Sequence, residues 1–161
     1  MATHTMRKPL MHQEKPNLTD PATASRLSRG LPAGVRMLQA LGLSREEQAS
    51  LLGLSVWSLQ RAEGGHGPEL SQDQLTRLSL VVGIYRALRL LYDDATAAGW
   101  PHRTNRRPPF GGQTPLAYMQ RGGILAMYET RCLLDADRSG LFSVTPEAHR
   151  SAPGFPTVVE L

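Results

Sequence analysis

Apolar positions fall into helical register from Leu31 onward. Val35, Leu38 and Leu41 recur on one face, Pro32 stands at a first helical position, and Gly42 ends the run. Ser44-Arg45-Glu46-Glu47 is a capping box opening a second short helix. Ser55 caps a third, with Leu54 and Leu59 placed as a hydrophobic staple, and Gly64-Gly65 stops it. A further box, Ser71-Gln72-Asp73-Gln74, opens a long helix with an apolar stripe of Leu75, Leu78, Val82, Tyr85 and Leu88. That pattern predicts a helix to about Ala98, before Gly99 and Trp100-Pro101 break it.

The stretch NRRPPFGGQTPLAYMQRGG, residues 105–123, interrupts this regularity. Pro108-Pro109 must be extended, because a residue before proline avoids the helical region. Gly111-Gly112 permits a tight turn, Thr114-Pro115 starts a short helix, and Gly122-Gly123 ends it. A last helix over 124–137 sets Leu125, Tyr128, Cys132 and Ala136 on one face. No alternating β-branched run flanked by hairpin turns occurs, so the predicted class is all-α. Residues 1–30 lack periodicity and are expected to be a flexible, disordered arm. A helix-turn-helix unit is expected over 31–69, a second small helical domain over 70–140, and a Pro-broken C-terminal extension over 141–161.

Composition narrows the functional classes. The chain has 18 Lys+Arg against 14 Asp+Glu, a formal charge of +4, which permits but does not require nucleic-acid binding. Its single cysteine, Cys132, rules out an intrachain disulfide and points to a reducing compartment. The N-terminus lacks a secretory h-region and no apolar run is long enough to span a bilayer, so a soluble, cytoplasmic protein is expected.

Within REEQASLLGLSVWSLQRAE, residues 45–63, Ala49 lets two helices approach, Gly53 makes the turn, and Leu59 and Ala62 point to the core. The second helix then offers Ser55, Trp57, Ser58, Gln60 and Arg61 outward as candidate DNA-binding residues, against Glu46, Glu47 and Glu63, which weaken the positive field. A scaffold or dimerisation unit fits the same pattern. No catalytic residues and no metal ligands are identified: the five histidines are scattered, and Cys132 reads as a small core residue on an amphipathic stripe. The paired glycines lack the strand–loop–helix context of a phosphate cradle. The 105–123 corner therefore reads either as an ordered crossover that packs helices or as a protein interface.

Several marks in residues 77–140 extend this reading: GIYRALRLLY, Trp100, Asn105-Arg106, Pro108-Pro109-Phe110-Gly111-Gly112, Thr114-Pro115-Leu116, Gly122-Gly123 and Leu134-Asp135-Ala136. Together they resemble the toxin-binding domain of Xre/MbcA/ParS-type antitoxins, and with the helix-turn-helix the resemblance covers about 31–140. It implies a non-catalytic, cofactor-free type II antitoxin. The implied partner is a RES-domain toxin, encoded next to it, that consumes NAD or transfers ADP-ribose. It further implies obstruction of the toxin's NAD site, autorepression at operator DNA, and a homodimer within a hetero-oligomer. The implied toxin-binding surface centres on Phe110, Gly111, Gly112, Pro115, Leu116, Arg121 and Arg131. Cys132 and Leu133 depart from the arginine and aromatic that relatives often carry, and 141–161 extends past the usual end. The alternative is a helix-turn-helix transcriptional regulator without a toxin.

Overall fold

A computed structural model describes residues 16–140. Among the described residues there are seven α-helices and one short 3-10 turn, and no strand. The helices are α1 (Pro21–Ser28), α2 (Leu31–Ala40), α3 (Arg45–Leu52), α4 (Val56–Glu63), α5 (Gln72–Leu91), α6 (Asp94–Gly99) and α7 (Pro115–Arg138). The all-α expectation holds.

The capping chemistry set the helix starts. Ser44 Oγ accepts from the Glu47 amide at 3.2 Å while the Ser44 amide donates to Glu47 Oε2 at 2.7 Å. Ser71 and Gln74 repeat the arrangement at the head of α5. Gly53 turns α3 into α4 with φ 65°, a left-handed conformation that suits glycine.

Three sequence expectations are corrected. The expected arm over 1–30 gives way, within the described residues, to a capped helix: Asp20 accepts from the Thr23 amide at 2.9 Å and Pro21 begins α1. Leu18, Ala24 and Leu27 of this segment pack against the core. Ser28 Oγ also accepts from the Leu70 amide at 2.9 Å, tying α1 to the approach to α5. Residues 1–15 and the extension 141–161 lie outside the described residues.

The long helix ends at Leu91 rather than near Ala98. Tyr92 is extended, and Asp93 caps α6 by accepting from the Thr96 amide at 2.8 Å. Third, the face of Leu125, Tyr128, Cys132 and Ala136 does not enter the core. Leu125 and Tyr128 are 67% and 57% exposed and Cys132 is exposed, while Ala126, Met127, Thr130 and Leu134 are buried instead. The stripe is apolar, but a neighbouring face of the same helix is the one packed inward.

Helix α5 is the shared spine. Its buried Leu75, Leu78, Val81, Ile84, Ala87 and Leu88 join α2 and α3 on one side to α7 on the other, in one continuous core. Val82 and Tyr85, expected on the stripe, are half-buried flanks. Each fully buried Leu or Val contributes roughly 1.5–3 kcal/mol of apolar burial. Close approach needs small residues: a Cβ on Gly34 would stand 2.3 Å from Leu78 Cδ1.

Candidate functional site

Two surfaces lie at opposite ends of the sequence pattern. The first is α4. Its N-cap, Ser55, accepts from the Ser58 amide at 3.1 Å, and the two hydroxyls lie 2.9 Å apart, so both are engaged in starting the helix. Leu59 and Ala62 are buried, as the helix-turn-helix spacing requires, and Trp57, Gln60 and Arg61 face solvent. The Arg61 guanidinium carbon sits 4.6 Å from the Trp57 ring centroid, a cation–π stack. Its Nε donates to the His66 carbonyl at 3.2 Å.

Of the acidic residues flagged beside this surface, Glu63 and Glu47 have partners, whereas Glu46 is exposed. Glu63 pairs with Arg45 at 3.0 Å. Glu47 is held by the Ser44 amide and by His102 Nε2 at 3.1 Å. Burial pushes its carboxyl up, but the Ser44 amide and His102 outweigh this and hold it below 4.5.

The second surface is the corner over 105–123. Its first half, 105–113, is a closed loop: the Asn105 amide donates to the Gln113 carbonyl at 2.9 Å and the Gly112 amide to the Asn105 carbonyl at 2.8 Å. The Pro108-Pro109 bond is cis, and Gly111 and Gly112 have φ 59° and 92°. A Cβ at either glycine would meet nothing within 4 Å, so these positions need glycine for backbone conformation while facing open space.

Phe110 anchors the corner. It is fully buried, with its ring edge-on to Trp100 at 5.8 Å and to Tyr118 at 5.5 Å between centroids. Tyr118 then donates a short hydrogen bond to Glu129 across the break in α7, and that carboxylate holds the phenol above 10.0. The break itself is Gly123, at φ 62° and ψ −143°. Arg107 grips Asp137 with two parallel bonds of 2.8 Å, fastening the loop to the end of α7.

Of the seven residues expected on a toxin-facing surface, Gly111, Gly112 and Arg121 are exposed. Phe110, Pro115 and Leu116 are interior, so they support the surface from beneath instead of forming it. Arg131 is a strut: its Nε bonds Asp135 at 2.7 Å, and a Cβ on Gly83 would fall 1.3 Å from its Nη1, which places the guanidinium against α5. Asp135 Oδ1 is buried without a hydrogen-bond partner. Arg107 and Asp137, which fasten the corner, were not among the expected residues. Their partnership spans 30 residues and carries no local signal.

Arg77 links the two halves. It pairs with Asp73 at 2.7 Å, and its Nη1 donates to the Leu51 carbonyl at 3.2 Å, satisfying an orphan carbonyl at the end of α3. Gln74 Nε2 does the same for Gly53 at 2.9 Å. Among the described residues, no group of three or more His, Cys, Asp or Glu side chains could hold a metal ion, and no helix is long and apolar enough to cross a membrane.

This geometry defines a helix-turn-helix protein with a second helical face built onto the same core. Residues 22–83 match the antitoxin Xre-like helix-turn-helix domain. The chain is also 32% identical over 118 residues to the uncharacterised protein y4oB of Sinorhizobium fredii (strain NBRC 101917 / NGR234), covering 73% of this chain and 90% of that one. The chain belongs to the same family as y4oB, and it carries an Xre-like antitoxin helix-turn-helix domain. No solved structure matches it.

Proposed function

We propose that this protein is the antitoxin of a type II toxin–antitoxin pair. It neutralises a RES-domain toxin that consumes NAD or transfers ADP-ribose, by covering the toxin's active site. The observation that carries this reading is the braced corner over 105–113, seated behind an antitoxin-type helix-turn-helix domain. A loop pinned by buried Phe110, by the Arg107–Asp137 grip and by two stitching amides presents Arg106, Pro108, Gly111 and Gly112 in a fixed shape. Such pre-organisation lowers the entropy lost on binding a protein partner. In this proposal the chain has no catalytic role and no cofactor, acts in the cytoplasm, and forms a homodimer within the toxin complex. Through α3 and α4 it represses its own operon.

Co-expression with the neighbouring toxin tests the proposal. The two chains are expected to co-purify, and cellular NAD to be maintained. Failure to associate, together with an undiminished fall in NAD, would refute it. The exposed Trp57–Arg61 stack on α4 favours a second reading, a DNA-binding regulator without a toxin. That reading expects operator binding with a steep salt dependence.

A further inference from the structure

We infer that Arg61 and Trp57 act as a single reading head for a guanine and an adjoining thymine in the operator major groove. The inference rests on the reading of α4 as a DNA-binding helix and deepens it to a base preference.

Three observations converge. Arg61 is committed twice without losing its fork: the guanidinium lies 4.6 Å over Trp57, and Nε bonds the His66 carbonyl at 3.2 Å. Among the described residues neither Nη group has a hydrogen-bond partner, which leaves the two-pronged end of the side chain for a ligand. Two parallel N–H donors fixed in one plane match the O6 and N7 acceptors of guanine in the major groove. A side chain tethered at Nε loses less rotamer freedom on contact than an untethered arginine does.

Trp57 is 62% exposed although it is large and apolar, and only part of it is covered by Arg61. It stands one helical turn before Arg61, in the first turn of α4, where a recognition helix meets base edges. An apolar face beside a guanine-reading arginine suits the thymine 5-methyl group, the one apolar mark in the groove. Of the acidic neighbours, Glu63 is already paired with Arg45.

The test is interference footprinting of the full-length protein on a DNA fragment from upstream of its own gene. Methylation of guanine N7 at one position per half-site is expected to block binding by the unaltered chain. In Arg61→Ala that interference is expected to vanish, with affinity down by roughly tenfold. Replacing the neighbouring thymine by uracil should weaken the unaltered chain and leave Trp57→Ala indifferent. Unchanged thermal melts establish that these exposed positions do not report misfolding. If Arg61→Ala keeps every guanine interference shown by the parent, Arg61 reads no guanine and the inference is overturned. A protein that binds no DNA, alone or with its toxin, overturns the DNA reading and this inference with it.

Discussion

Gly83 sits in the middle of α5, where glycine is a poor helix former by roughly 1 kcal/mol relative to alanine. The structure explains its presence through Arg131, whose guanidinium occupies the space a Cβ would take. Gly83→Ala should therefore gain helix propensity only when Arg131 is shortened. In an Arg131→Ala background the change is expected to stabilise by about 1 kcal/mol. In the parent it should be destabilising or neutral, giving a coupling of about 1 kcal/mol or more in a denaturant double-mutant cycle. Equal effects in both backgrounds would contradict this packing. At the same scale, the anchoring of the corner is a single-residue property. Phe110→Ala should cost about 3–5 kcal/mol by chemical denaturation, since it empties a fully buried site shared with two aromatic rings.

Among elements, α7 depends on its interruption. At φ 62° and ψ −143°, Gly123 adopts a conformation that side-chain-bearing residues avoid, and it lets Tyr118 and Glu129 meet across the break. Gly123→Ala is expected to lose about 1–3 kcal/mol of stability in urea, and a neutral outcome would argue against the bend. The start of α3 carries a pH signature. Glu47 is depressed below 4.5 in the folded state, so its contribution is present above 4.5 and is lost as pH falls through the folded value. Glu47→Gln should accordingly flatten the acid limb of a melting-temperature profile below pH 4.5. An unaltered limb would assign acid sensitivity elsewhere.

The elements also show where sequence reading succeeds. Ser44, Ser55, Ser71 and Thr114 were legible because capping is local chemistry within three or four residues. Asp20-Pro21 and Asp93 carry the same kind of signal, masked by the polar composition around one and the apolar stripe around the other. The face of the last helix is ambiguous in sequence for a different reason. Two apolar stripes share that helix, and only packing on α5 selects Ala126, Met127, Thr130 and Leu134 over Leu125, Tyr128 and Cys132. Likewise, spacing marks the 105–123 corner as a distinct break between helices but not which residues lie under it. Phe110, Pro115 and Leu116 are apolar enough for either role, and burial was decided by Trp100, Tyr118 and the distant Asp137 contact.

At the scale of the whole molecule, packing is continuous across residues 69 and 70. Leu70 is buried, Gln74 and Arg77 satisfy carbonyls of the helix-turn-helix, and α5 serves both halves. A single cooperative transition is therefore expected in calorimetry, with calorimetric and van't Hoff enthalpies equal. Two separated transitions would show that the halves fold independently. A shared spine also means that the α4 surface and the 105–123 corner belong to one packed body, as the proposed occluding antitoxin requires.

The central claim, neutralisation by direct cover of the toxin, is tested most directly by titrating purified toxin with this purified chain while following NAD. The account predicts that NAD loss stops at a fixed stoichiometric ratio. It predicts further that Phe110→Ala, assayed where it remains folded, needs a large excess to reach the same end point. NAD loss that continues unchanged at every ratio, with both proteins folded, would contradict it.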